Sequence, residues 1–285
     1  MKDFARELSI AVDLARKAGK VVMEVYATDF SVFYKGASDP VTDADKRGND
    51  LIVAGLEQAF PEDIVVAEES EKPDGSRTAP RIWFVDPLDG TKEFVAKNGE
   101  FSVMIGLAIK GQAQLGVVYR PDGDILYAGV VGQGAWMEMG GQHTPLTVIE
   151  PKSLVAPTLA VSRSHRNPLL ENICKDLGVE KEVSSGSVGL KIGLIARGIA
   201  DMYIEPGPYT KLWDACGPDA ILRATGGQFT NMLGESLTYD LTQLKNTHGL
   251  VATNGAMHEK VINRLKPIAK ELGLMPKPLC PAWEN

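Results

Sequence analysis

The sequence predicts a layered α/β fold, and three observations predict it. The chain opens on an amphipathic stretch in which Phe4, Leu8, Ala11, Val12, Ala15, Val22 and Tyr26 recur at helical spacing. Apolar runs between residues 101 and 138 are parted by short turn signals, the pattern of an antiparallel meander. The second half alternates strand-like and helix-like segments, which pack as sheets covered by helices.

The elements follow in order. The first helix covers residues 4–26. "KGASDPVTDAD" reads as a loop, with Asp43 capping a second helix that runs through "KRGNDLIVAGLEQAF" and stops at Pro61. "DIVVAEES" is a short apolar run ending at Glu68 and Glu69; "RIWFVDPLDG" repeats that plan, and Thr91 opens a short helix through "KEFVAK". "FSVMIGLAI", "QAQLGVVYR" and "ILYAGVVGQGAWME" form the meander, set apart by "KG" and "PDGD". The Gly- and Pro-rich "GGQHTPLTVIEPKSLVAP" marks a boundary near residue 150, giving subdomains 1–150 and 151–285. Beyond it "TLAVSRSH" is a strand, "PLLENICKDLG" and "GSVGLKIGLIARG" are helices and "ADMYIEP" is a strand. "LWDACGPDAILRATGG" is another helix, followed by strands at "QFTN" and "GLVATN" and a last helix over 257–272. The tail "MPKPLCPAWEN" reads as irregular.

Composition narrows the function classes. The chain has 285 residues, 44% hydrophobic and 24% charged, as ordinary globular proteins do. A net charge of −7 without a long basic run argues against nucleic-acid polymers as partners and leaves small phosphorylated molecules open. Charges interrupt the apolar positions of "MKDFARELSIAVDLARKAGK", so neither a signal peptide nor a membrane span is expected there. Cysteines at 174, 216 and 280 form no CxxC pair, which suggests a reducing cytoplasm without disulfides or a zinc site. The histidines at 143, 165, 248 and 258 include no HExxH.

Chemistry concentrates where apolar runs lead into acid: "VVAEES", "WFVDPLDG" and "KLWDACGPD". The bland alternative is a strand ending in an Asp-capped turn. If the first two strands pair, Glu68 lies near Asp86 and Asp89. Two unit charges about 4 Å apart repel by ~1 kcal/mol in water and ~4 kcal/mol at an effective dielectric near 20. Such a cluster needs a cation, and oxygen ligands without His or Cys favour a hard ion such as Mg²⁺. In DPLDG, Asp86 can point inward, Pro87 stiffens the chain, the Leu88 carbonyl can turn to the same ion and Asp89 adds a carboxylate. Gly90 permits close approach, and free N–H groups at a helix start near Thr91 suit a phosphate. Carboxylates that hold Mg²⁺ beside a phosphate cradle suggest phosphoryl chemistry.

"DPVTDAD", "AEES", "WFVDPLDGTKEF" and "WDACGPDAILRATGG", in this order, resemble the lithium-sensitive, Mg²⁺-dependent inositol monophosphatase superfamily over residues 4–265. "DPLDGTKEF" with "NGEFSV" and "LGVVYRPDGDILYAG" resembles its CysQ-type 3′(2′),5′-bisphosphate nucleotidase branch, whereas the inositol branch more usually carries TNF at this position. The resemblance implies an αβαβα sandwich with two to three Mg²⁺ ions. Glu68, Asp86 and the Leu88 carbonyl would hold the first ion, and Asp86, Asp89 and Asp214 the second. A third would sit near Glu68, its water shell close to Asp45. Thr91 with Glu68 or Asp45 would activate the attacking water, and the N–H groups of Gly90 and Thr91 would bind phosphate.

"SRSH" and "GSVGLK" resemble the nucleotide-contacting segments, with Ser162, His165, Gly186, Ser187 and Lys191 as candidates. The chain has "SSGSVGLK" where that branch often shows GSSLK, so inositol or sugar phosphates stay open as substrates beside adenosine 3′,5′-bisphosphate. Lys191 falls between Leu194 and Ile195 on the helical wheel, an apolar flank from which it either serves the site or snorkels to solvent. Glu69 reads as supporting or solvated, Asp219 as a surface residue, Lys211 as a solvated lysine and Cys216 as a packed thiol. A monomer or homodimer is expected. A silent metabolite sensor is the alternative of another class, against which Thr91 counts, since a pure binder needs no water-activating threonine.

Overall fold

The computed structural model describes residues 3–36, 39–73, 79–147 and 156–274. The boundary expected near 150 and the tail from 275 onward lie outside the described residues. In chain order the elements begin with α1 (Ala5–Tyr26), β1 (Phe33–Gly36), β2 (Asp39–Val41), α2 (Asp43–Ala59), β3 (Ile64–Ala67), β4 (Arg81–Asp89) and α3 (Thr91–Val95). The meander is β5 (Ser102–Ile109), β6 (Gln112–Arg120), β7 (Ile125–Val130), β8 (Gly134–Met139) and β9 (Gln142–Leu146). The second half supplies β10 (Thr158–Ser162), α4 (Leu169–Leu177), β11 (Lys181–Ser185), α5 (Val188–Ala196) and β12 (Met202–Glu205). It closes with α6 (Leu212–Ala224), β13 (Gln228–Thr230), β14 (Leu250–Thr253) and α7 (His258–Glu271).

Strands β3 to β9 form one seven-stranded sheet in sequence order, parallel only between β3 and β4. A five-stranded sheet has the order β11-β10-β12-β14-β13. Helices α1 and α2 cover one face of the larger sheet, α5 and α6 fill the space between the sheets, and α4 and α7 cover the far face of the smaller one. This is the αβαβα sandwich. Strand β4 shows why both faces are apolar: Trp83 and Val85 join the α1–α2 core, while Ile82 and Phe84 join the core between the sheets.

The structure departs from the sequence pattern in several places. "KGASDPVTDAD" is not all loop, since β1 and β2 pair antiparallel there. "ILYAGVVGQGAWME" is the hairpin β7–β8, and the Gly-rich stretch after it pairs as the edge strand β9. Strand β11 was not expected at all. Its burial is too slight to give the alternation from which strands are read. Asp43 does not cap α2. Thr42 does, in a capping box with Asp45, because the Thr hydroxyl accepts from the Ala44 N–H while the Asp45 carboxylate accepts from the Thr42 N–H.

Two features aim the sheet's carboxylates. Asp86 pairs with Met104 and Asp89 with Ser102, so three steps on β4 face two on β5. Residues three apart on a regular strand point to opposite faces; this bulge returns Asp89 to the face of Asp86. Helix α6 then lies directly on β5 and β6, because a Cβ on Gly106 or Gly116 would overlap the backbone of Gly217. That contact brings Asp214, in the first turn of α6, to the same side.

Candidate active site

The base of the site is the Thr42–Asp45 box. Asp45 is 2% exposed. Its Oδ2 accepts from the Thr42 N–H at 2.7 Å and the Thr42 hydroxyl at 2.7 Å, leaving Oδ1 to accept from the Thr91 hydroxyl at 3.0 Å. Burial pushes the Asp45 carboxyl up to about 6, against the pull of its Thr42 and Thr91 donors. The Thr91 hydroxyl also faces the Leu88 carbonyl at 3.2 Å. Gly90, at φ 98°, makes the turn into α3, and a Cβ there would stand 3.1 Å from the Glu100 carbonyl.

Around this pair stand the acids. Asp86, 2% exposed, accepts from the Leu88 N–H at 2.9 Å. Asp89 Oδ2 accepts from the Ser187 hydroxyl at 2.5 Å and the Val188 N–H at 2.6 Å, at the start of α5, where a carboxylate meets the positive end of the helix. Asp214 Oδ2 accepts from the Lys211 N–H at 2.7 Å. Each aspartate keeps its other carboxylate oxygen without a protein hydrogen bond among the described residues. Glu68 lies at the end of β3, its N–H donating to the Val85 carbonyl at 3.0 Å. Its Oε1 accepts from Lys35 at 3.2 Å, and Lys35 also holds Glu69.

Burial first, then mutual repulsion, holds Asp86 and Asp214 well above the usual carboxylate range: Glu68, Asp89 and Asp214 act on Asp86, and Asp89 and Glu68 on Asp214. Asp89 is raised by burial, partly offset by Lys191 and its α5 donors. Among the described residues no three His, Cys, Asp or Glu side chains are gathered closely enough to hold a metal ion as they stand. The donor chemistry nevertheless fits a hard divalent cation. Glu68, Asp86, Asp89 and Asp214 are oxygen donors, the three aspartates with a spare carboxylate oxygen, and the set contains no His or Cys.

The segments expected to meet substrate divide. Ser187 caps α5, accepting from the Leu190 N–H while orienting Asp89. Gly186 packs against Glu93, where a Cβ would collide. Lys191 does not snorkel. It is 1% exposed and donates to the Gly186 carbonyl at 2.6 Å and the Ser187 carbonyl at 2.9 Å, behind Asp89. The Ser162 hydroxyl accepts from the His165 N–H at 3.1 Å. The exposed His165 ring instead meets the Lys92 ammonium, Nε2 to Nζ 2.8 Å.

Asp219 is no surface residue. It is 3% exposed on α6 and accepts from the Tyr239 hydroxyl at 2.9 Å, and burial pushes it up to about 7. Lys211 is half-buried, and Cys216 is the packed thiol it was expected to be. Lys35, Lys92 and Thr42 were missed. Only Thr42 carried a local signal, the Thr-x-x-acid spacing of a capping box.

The sequence pattern of the inositol monophosphatase family matches residues 4–270. The chain belongs to the inositol monophosphatase family. Within that family it is 38% identical over 232 residues to the 3′(2′),5′-bisphosphate nucleotidase CysQ of Buchnera aphidicola subsp. Acyrthosiphon pisum, covering 80% of this chain and 86% of that one. The crystal structure of CysQ from Bacteroides thetaiotaomicron superposes with a TM-score of 0.75 at 31% identity, over 88% of this chain and 97% of that one. The inositol monophosphatase of Anabaena (Nostoc) sp. PCC 7120 gives 0.76 at 27% identity, over 93% and 97%. No helix among the described residues is long and apolar enough to cross a membrane.

Proposed function

We propose that this chain is a Mg²⁺-dependent phosphomonoesterase that hydrolyses adenosine 3′,5′-bisphosphate to AMP and phosphate. The observation that carries the reading is the Thr91–Asp45 hydrogen bond of 3.0 Å, two residues beyond the Asp86–Asp89 bulge. Two to three Mg²⁺ ions held by Glu68, Asp86, Asp89, Asp214 and the Leu88 carbonyl would neutralise phosphoryl oxygens and acidify water. The Thr91 hydroxyl, 3.0 Å from Asp45 Oδ1, has oxygen lone pairs left to accept from a water when it donates to that carboxylate. As that water's oxygen bonds to phosphorus and the ester P–O bond breaks, its proton passes through the Thr91 hydroxyl to Asp45. The leaving 3′-oxygen takes a proton from solvent. Asp45, raised toward neutrality, suits the role of base. The N–H groups of Gly90 and Thr91, at the start of α3, receive a phosphate oxygen.

The nucleotide is favoured by the 38% identity to a bisphosphate nucleotidase. The close superposition on the Anabaena inositol monophosphatase favours a second reading, an inositol or sugar monophosphatase using the same residues. Phosphate release from adenosine 3′,5′-bisphosphate, inositol 1-phosphate and fructose 1,6-bisphosphate, with Mg²⁺ and with EDTA, decides between them. The highest kcat/KM belongs to the nucleotide. A clear preference for inositol 1-phosphate would replace the substrate while sparing the mechanism, and no turnover on any of them would make the protein a binder. Inhibition by millimolar Li⁺ is the further expectation, read from a titration at several Mg²⁺ concentrations.

A further inference from the structure

Strand β3 is an edge of the larger sheet, and the turn after it carries Glu68 and Glu69. Beyond Ala67 the Glu68 N–H still reaches the sheet, on the Val85 carbonyl at 3.0 Å. The carbonyls of this turn are gathered by one ammonium. Lys72 donates to the Glu68 carbonyl at 2.7 Å, to the Ser70 carbonyl at 3.0 Å and to the Ala67 carbonyl. A lysine has three donors, and here each has a backbone oxygen. Most of the Lys72 side chain is exposed, so its stem is free to solvent while its tip is committed. The same ammonium lies over the Trp213 ring, 4.4 Å from its centroid, as a cation on an aromatic face. Trp213 is 6% exposed in the first turn of α6, and the next residue is Asp214.

Lys72 therefore touches both halves of the acid set without touching an acid's carboxylate. It holds the backbone of Glu68 on one side and the ring beside Asp214 on the other. From helix α2 the Asn49 amide donates to the Ser70 hydroxyl at 3.0 Å, bracing the same turn. Lys35 acts differently, because its ammonium meets the carboxylates of Glu68 and Glu69 themselves. Two effects of Lys72 on a metal ion have opposite signs. As a charge that acts on Glu68 and Glu69 it competes with the ion. As a clamp it favours the ion, since ligands already held at their spacing lose less freedom on binding. Exposure screens the charge, whereas the clamp is made of short bonds and ring contact, so the clamp should win.

We infer that Lys72 is a positioning residue that ties the turn after β3 to α6, fixes Glu68 relative to Asp214 and so strengthens the binding of Mg²⁺. This rests on the metal-dependent reading above. The test is a calorimetric titration of Mg²⁺ into wild type, Lys72→Met and Lys72→Arg without substrate, with melting temperatures in EDTA to verify folding. Lys72→Met should weaken binding about ten- to a hundredfold, the usual cost of losing a group that orients a metal ligand. Lys72→Arg should recover part of the loss, because a guanidinium also donates to carbonyls and stacks on an indole. In phosphate-release assays the loss should appear in the Mg²⁺ concentration for half-maximal rate and not in kcat, since Lys72 meets no reacting atom. Unchanged or tighter Mg²⁺ binding in Lys72→Met overturns the inference and leaves Lys72 acting as a charge alone. If wild type itself binds no Mg²⁺, the metal-dependent reading fails first and the inference falls with it.

Discussion

Thr91 and Asp45 sit 46 positions apart in the chain and 3.0 Å apart in space, each held by partners of its own. Thr91→Ala should therefore lower kcat at least about 100-fold and change KM little, since it removes water positioning and leaves the phosphate contacts. Asp45→Asn should lower kcat similarly. If the two form one relay, the double variant is scarcely worse than either single, and additive losses in a double-mutant cycle would separate them. Asp89→Asn keeps an oxygen for the α5 donors but removes a charge from the ligand set. Turnover should fall by orders of magnitude with the circular dichroism spectrum unchanged; near-normal turnover in the folded variant would remove Asp89 from the metal site. These residues were legible in the sequence because "DPLDGT" and "TDAD" are compact local strings. Lys35 was not legible. Its partners Glu68 and Glu69 come from another element, and nothing near Lys35 in sequence marks it.

Helix α6 shows how an element positions a residue it does not surround. Its Gly217 lies against Gly106 and Gly116, backbone to backbone, and Asp214 stands one turn earlier. Gly116→Ala forces α6 off the sheet, so a loss of about 1–3 kcal/mol is expected, the usual scale of overpacking. Mg²⁺ affinity should weaken with it, measured by calorimetry on the folded fraction; unchanged affinity would mean that Asp214 is not placed by this contact. The periodicity of α6 was readable in advance, and its burial on nearly all sides was not. Asp219 is buried against expectation for that reason: a charged residue in a helix usually faces water, and here the helix runs between two sheets.

At the scale of the molecule, buried acids make stability depend on pH. Asp86, Asp89, Asp214 and Asp219 all hold protons more tightly folded than unfolded. A group raised in this way contributes less as pH climbs from its unfolded value, about 4, to its folded one, about 7 for Asp219. In EDTA the melting temperature should thus fall between pH 5 and pH 8. Mg²⁺ should raise it more at pH 8 than at pH 6, by binding the folded ligand set alone. Asp219→Asn should flatten the EDTA slope and keep the Mg²⁺ response, since Asp219 faces Tyr239 and lies outside the ligand set. A slope as steep as wild type's would show that Asp219 does not titrate in this window.

By itself the sequence determined the principal helices and strands of the sandwich and the strings that carry its acids. Those signals lie in hydrophobic period and turn residues, which act over a few neighbours. Only the tertiary structure decided which side chains meet. The β4 bulge turns Asp89 to the face of Asp86, the start of α5 takes Asp89 from 98 residues away, and Lys92 finds His165 across 73. Such meetings depend on strand register and on how closely helices approach a sheet. Both are set by packing the whole chain at once, so no local stretch contains them.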